Sequence, residues 1–259
     1  MVKSSSEIKI ENQIIGIKHP CYVIAEIGIN HNGSIHVAKQ LIDAAVNAGA
    51  NAVKFQKRSL NDLYREDILK NPNIDSQALE ILIGILQEVE FKDEEYKQLI
   101  EYCKNKKITF LCTPWDIPSV DFLKQFELPA YKIASADMTN FPLLLHIIKT
   151  GKPLIVSSGM SKMDEIEKTV SFLEKNNAKF ILLHCNSTYP APIETLNLEL
   201  IPLIILSVSS RVLIACIMCR SGLSETSVTL DEDKSIANSL SFCIASFSSW
   251  AKFALTSIV

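Results

Sequence analysis

Polar residues recur along this chain in one kind of place, the ends of short apolar runs. In order they are Glu26 with Asn30 and His31, Lys54 and Gln56, Thr113, Lys132 with Ser135 and Asp137, Ser157 with Ser158, and Asn186, Ser187 and Tyr189. The carboxylate inside IAEIGINHNG needs partners, because an ionised Glu buried alone is strongly disfavoured and shifts toward its neutral form. In KFQK, Lys54 and Gln56 stand two residues apart, so a strand turns both to one face. Two lysines, several hydroxyls and amides and one carboxylate suit an anionic substrate. Lys54 and Lys132 supply positive charge, while Thr113, Ser135 and Ser157 offer hydrogen bonds to phosphate or carboxylate oxygens. Glu26 then has cationic neighbours.

Parallel α/β folds gather such residues at the C-terminal ends of their strands, and the rest of the sequence reads as such a fold. Strand-type runs at 21–29, 52–57, 109–113, 130–134, 153–157 and 180–185 alternate with helical patterns near 35–48, 93–107, 117–126, 141–150 and 163–176. Ser34 caps the first helix, whose Val37, Leu41, Ala44, Ala45 and Ala48 recur at helical spacing before Gly49 stops it. EIKIENQIIG alternates around Glu11 and Asn12, which predicts a hairpin plugging one end of the domain. Residues 59–92 interrupt the rhythm. A connection this long reads as a lid or substrate loop, against plain packing by the apolar helix ALEILIGILQEV.

A chain of 259 residues suits one α/β barrel. With 21% charged residues and a net charge of -3, it has neither a basic nucleic-acid surface nor an acidic tail, so small molecules or copies of itself are the expected partners, with no nucleic acid and no membrane. The first twenty residues carry charges throughout and lack the apolar core of a secretory signal, which predicts a cytoplasmic protein. Seven scattered cysteines do not form a disulfide framework, and Cys216 and Cys219, though spaced C-x-x-C, lack a second pair for zinc.

After Pro202 the sequence changes character. Residues 203–259 hold half of the chain's serines and no histidine, and no strand-to-helix unit is recognisable. The apolar runs there are short or contain Arg211 and Lys252, which argues against a membrane span. The expected fold is α/β, a TIM-type (β/α)8 barrel left incomplete at about six βα units. It carries an N-terminal β-hairpin, and its domains are a barrel at 1–202 and an atypical Ser-rich tail at 203–259. A reading frame disturbed near codon 203 would account for the tail, and strand-and-helix text in another frame of the DNA would show it. Six strands alone leave two open edges, an association hazard.

The segments IAEIGINHNG, GANAVKFQKR, FLCTPWD, PAYKIASAD, GKPLIVSSGM and LLHCNSTYPAP, in this order and spacing, resemble the catalytic barrel of the sialic acid synthase family over about residues 8–202. The resemblance implies condensation of phosphoenolpyruvate with N-acetylmannosamine or a related acylamino sugar, giving a sialic acid-type nonulosonate and phosphate. It implies that Lys54, Thr113, Lys132, Ser135, Ser157, Asn186 and Ser187 hold phosphoenolpyruvate. Gln56, Asp137 and Tyr189 then face the sugar, and Glu26 stands at the reacting centre for proton transfer or water activation. Asp137 stands where some relatives have Glu.

The same resemblance implies a divalent ion, Mn or Mg, that polarises the aldehyde and orients water, together with a homodimer and a C-terminal antifreeze-like domain. The family takes two histidine ligands from its seventh and eighth strands. This chain has no histidine after His184, and no antifreeze-like segment is read in it. No metal ligand is therefore assigned, and His184, in an apolar strand, reads as a hydrogen-bonded core residue. The expectation is a synthase-like chain whose own turnover is in question. The alternatives are a Schiff-base aldolase using Lys54 or Lys132 and a non-catalytic remnant that still binds phosphate compounds.

Overall fold

The computed structural model describes residues 7–16, 19–70, 77–188, 191–197, 214–218 and 242–246. Ile8–Ile10 (β1) and Gln13–Ile15 (β2) pair antiparallel as the predicted hairpin, Ile10 opposite Gln13. Six parallel strands follow in chain order: Tyr22–Gly28 (β3), Ala52–Lys57 (β4), Thr109–Pro114 (β5), Tyr131–Ile133 (β6), Leu154–Ser157 (β7) and Phe180–His184 (β8). Ile35–Asn47 (α1) links β3 to β4. The long β4–β5 connection holds Leu60–Leu63 (α2), Glu66–Lys70 (α3), Gln77–Val89 (α4) and Asp93–Lys106 (α5). Ile117–Lys124 (α6), Phe141–Ile148 (α7) and Met163–Lys175 (α8) complete the alternation.

The helices α1, α6 and α7 start where short polar side chains satisfy the first free N–H groups. Ser34 accepts from Val37 N at 3.3 Å, Asp116 from Ser119 N at 2.7 Å and Asn140 from Leu143 N at 3.3 Å. Just before α1, Gly33 has φ +71, and a Cβ there would lie 2.4 Å from Glu88 O of α4. The first loop and the long connection can touch only because this residue has no side chain.

The fold class is therefore the expected α/β barrel with six βα units and a hairpin. The tail differs from the sequence expectation, because it supplies two more parallel strands, Ile214–Met218 (β9) and Phe242–Ser246 (β10). These pair β8 to β9, β9 to β10 and β10 back to β3, so the ring closes and the two open edges expected of six strands are covered. The reason is physical: edge N–H and C=O groups recruit any β-compatible run within reach, and IACIM and FCIAS are such runs. No helix among the described residues is long and apolar enough to cross a membrane, and the apolar runs of the tail lie largely outside those residues. Cys103 and Cys112 are buried free thiols, and Cys219 lies outside the described residues.

Two apolar layers hold the ring. The outward strand faces, among them Val53, Phe55, Phe110, Tyr131 and Val156, pack under the helices. The inward faces form a second cluster of Ile24, Ala52, Leu111, Ala130, Ile155 and Ile181, on which Ile8, Ile10 and Ile15 of the hairpin sit. Thr109 Oγ1 donates to Glu11 Oε2 at 2.7 Å and ties the hairpin turn to the start of β5. The N-terminal end of the barrel is thus a filled floor.

Candidate active site

The strand period of two carries each inward face up from this floor to a polar residue. Ile24 leads to Glu26, Ala52 to Lys54 and Gln56, Leu111 to Thr113, Ala130 to Lys132, and Ile155 to Ser157. Parallel register sets Glu26 beside Lys54 and Gln56 beside Thr113. Lys54, only 4% exposed, places Nζ 2.7 Å from Glu26 Oε2 and donates to Thr113 Oγ1 at 2.9 Å. Lys132, 5% exposed, donates to Ser157 Oγ at 2.5 Å and to Ile133 O at 2.8 Å. Burial, and secondly the charge of Lys54, bring the Lys132 ammonium down to about 8.

Between Glu26 and Gly28 the β3–β4 register slips, a bulge that re-aims the end of the strand. Gly28 has φ +56, and a Cβ on it would stand 3.1 Å from Glu26 Oε1 and 3.4 Å from Gln56 Nε2. Glycine therefore leaves the space those two side chains share. Glu26 Oε1 is buried and has no hydrogen-bond partner. One carboxylate oxygen is anchored by Lys54 and the other is available to a ligand.

The loops after β6, β7 and β8 meet at Gly159. Its N–H donates to Ser135 Oγ at 3.1 Å, and a Cβ on it would lie 2.9 Å from Ser187 Oγ. Asn186 turns elsewhere: its Nδ2 donates to Thr195 O at 3.0 Å and Thr195 Oγ1 at 2.9 Å, and its Oδ1 accepts from Thr188 N at 2.8 Å. Of this pair, Ser187 is the one that joins Ser135. Asp137 Oδ1 accepts from Asn140 Nδ2 at 3.1 Å, while Oδ2 is buried without a partner and burial raises the carboxyl above its usual range. Tyr189 lies outside the described residues.

His31 and His184 are engaged in structure. His31 stacks on Phe91 with ring centroids 4.0 Å apart, and its Nδ1 accepts from Gly33 N at 3.2 Å. Burial lowers its imidazole to about 4. His184 Nε2 donates to Leu196 O at 2.7 Å, as expected of a satisfied histidine. Among the described residues no group of three His, Cys, Asp or Glu could hold a metal ion, and the sequences of β9 and β10 contain no His, Asp or Glu. The described residues do not fit the divalent ion.

Sequence reading passed over Arg58 and Trp115, although Arg58 continues the two-residue period of Lys54 and Gln56. Arg58 is 8% exposed; its Nη2 donates to Gln56 Oε1, and its guanidinium lies 4.7 Å from the Trp115 ring centroid. Asp116 locks this rim, accepting from Ser59 N with Oδ2 and from Ser119 N with Oδ1, both at 2.7 Å.

Comparison with known proteins gives concordant findings. The NeuB family model matches residues 41–208. The chain is 37% identical over 188 residues to N-acetylneuraminate-9-phosphate synthase of Mus musculus, covering 72% of this chain and 52% of that one. It is 39% identical over 187 residues to N,N'-diacetyllegionaminic acid synthase of Campylobacter jejuni, covering 68% and 54%. The chain therefore spans about half the length of the curated relatives it matches. Among solved structures, N-acetylneuraminic acid (sialic acid) synthetase from Leptospira borgpetersenii in complex with citrate superposes with a TM-score of 0.77 at 29% identity, over 95% of this chain and 80% of that one.

Proposed function

The chain belongs to the NeuB family, and from that premise we propose that it condenses phosphoenolpyruvate with N-acetylmannosamine or a related acylamino sugar to give a nonulosonate and phosphate. One observation carries this reading: a closed ring of strands sets Lys54, Lys132, Thr113 and Ser157 in one buried polar layer around Glu26, which keeps one oxygen unpartnered. Two buried ammonium groups beside hydroxyl donors suit the phosphate and carboxylate of phosphoenolpyruvate. Ser135 and the exposed Ser187 border this layer, and Asn186 shapes the loop behind it. Gln56, Asp137 and Tyr189 take the sugar.

In the reaction the enol carbon of phosphoenolpyruvate bonds to the aldehyde carbon of the open-chain sugar, and the π pair of that C=O passes to its oxygen, which takes up a proton to become a hydroxyl. Water oxygen adds at the phosphate-bearing carbon, and the C–O bond to phosphate breaks. Glu26 is placed for the proton: Lys54 fixes Oε2, and Oε1 accepts hydrogen from the attacking water. No described residue set fits the divalent ion expected of the family, and these roles rest on the chain's own groups. Incubation with phosphoenolpyruvate and N-acetylmannosamine should release phosphate and yield one equivalent of the condensed keto acid by mass. Phosphate binding by a stable fold without turnover on any acylamino sugar overturns the reading in favour of a non-catalytic remnant.

A second reading has one observation of its own, the depressed Lys132 ammonium. An amine near 8 is neutral often enough to attack a carbonyl and form a Schiff base. Borohydride trapping of a pyruvate adduct on Lys132 would support that aldolase. Chelator loss and manganese recovery of activity would support metal-dependent condensation.

A further inference from the structure

We infer that Glu90 is a positioning residue, and that residues 88–91 form a clasp across the ends of β3 and β4 that fixes the spacing of Glu26 and Gln56 and so governs the sugar half of the site. The role toward the sugar rests on the condensation reading; the clasp itself does not.

Glu90 directly follows α4, yet its side chain turns back onto the end of β4. Its Oε1 accepts from Lys57 Nζ at 3.1 Å and from Arg58 N at 3.3 Å. Tyr96 Oη of α5 lies 3.1 Å from the same oxygen and also reaches the carbonyl of Gln56. Three consecutive residues of one strand end, 56 to 58, are thus held by groups from beyond α4. An exposed ion pair would contribute little, but the side chains of Lys57 and Glu90 are only 12% and 16% exposed. The other carboxylate near Lys57 is Asp93, 4.0 Å away and 66% exposed.

The residues flanking Glu90 hold the other strand end. Phe91 stacks on His31, and the carbonyl oxygen of Glu88 lies 2.4 Å from where a Cβ on Gly33 would stand. His31 and Gly33 belong to the loop after β3 and are tied together by the Gly33 N to His31 Nδ1 bond. The clasp sits where the ladder between the two strands gives out. After the slip between Glu26 and Gly28, Gly28 opposite Phe55 is the last β3–β4 pair. Gln56 lies above that pair, with β5 beside it on one flank alone.

Glu26 Oε1 and Gln56 Nε2 both border Gly28, at 3.1 and 3.4 Å from a Cβ placed there. With no ladder at this level, the gap between the carboxylate and the amide follows the clasp. Opening it by about 1 Å would misplace the sugar against the reacting centre, which can slow a reaction up to about 100-fold. The phosphoenolpyruvate layer is spared. Lys54 lies below the slip and is bonded to Thr113, while Lys132 and Ser157 stand on β6 and β7.

The test measures kcat and both KM values in wild type, Glu90→Gln and Phe91→Leu, the first loosening the clasp on β4 and the second on β3. Each variant should lower kcat/KM for the acylamino sugar about tenfold or more, with the KM for phosphoenolpyruvate unchanged. Should Glu90→Gln fail to fold, Phe91→Leu decides alone. Unchanged kinetics, equal losses against both substrates, or a lowered urea midpoint without that split would make Glu90 a structural residue and overturn the inference. If wild type turns over no acylamino sugar, the condensation reading has failed, and the clasp is read by hydrogen–deuterium exchange instead. Glu90→Gln should then speed exchange at residues 56–59 and also at 30–34, leaving β7 and the hairpin at wild-type rates. Faster exchange at 56–59 alone, faster exchange throughout the chain, or no change at all would each overturn the clasp.

Discussion

Lys132 titrates inside the range in which an enzyme can be assayed, and the direction of its shift fixes the outcome. Burial favours the neutral amine, so the ammonium persists below about 8 and is lost above it. The KM for phosphoenolpyruvate should therefore rise as pH passes about 8, and Lys132→Met should raise it at least about tenfold and flatten that rise. Glu26→Gln keeps the shape but removes the proton acceptor, and kcat should fall about 100-fold or more. His31 speaks to stability instead. Its imidazole binds a proton at about 4 in the fold and at 6.5 in the open chain. Above 6.5 neither state is charged, and as pH falls from 6.5 to 4 only the unfolded chain gains the proton, so stability drops. The loss should reach the order of 3 kcal/mol by urea titration and vanish in His31→Phe. A two-residue period makes Glu26, Lys54, Gln56 and Thr113 legible as neighbours from sequence. Asn186 and Ser187 stand in a loop without a period, and only coordinates separate their directions.

At the scale of elements, the strand-and-helix alternation was readable because each unit is bounded by its own cap and its own apolar face. The long β4–β5 connection was readable only as an interruption. What it does depends on a contact no local pattern encodes, the approach of α4 to the first loop at Gly33. Gly33→Ala should destabilise the fold by about 1–3 kcal/mol from backbone strain, with the clash on Glu88 O added, and a lowered urea midpoint would record it. The strands β9 and β10 escaped the sequence reading for a related reason. Five-residue runs in Ser-rich text carry no caps and no period long enough to notice, and they become strands through the edges they cover.

For the whole molecule, closure is the feature to test. A chain cut after Met218 loses β10, and β3 then presents Tyr22 to Glu26 as an unpaired edge. Light scattering should find that the cut chain self-associates more than the full one, and an unchanged mass would argue that the edge is protected by other means.

The floor built from the hairpin has a kinetic meaning. With Ile8, Ile10 and Ile15 seated in the barrel's lower end, the described residues close that side to the buried lysines, and Gln56 and Asp137 stand half-buried at the other end. A sugar that arrives early stands in the doorway. On the proposed condensation, phosphoenolpyruvate loads first and phosphate departs last, so excess acylamino sugar should inhibit competitively against phosphoenolpyruvate. A protein that looks like an open vessel would then behave as a queue.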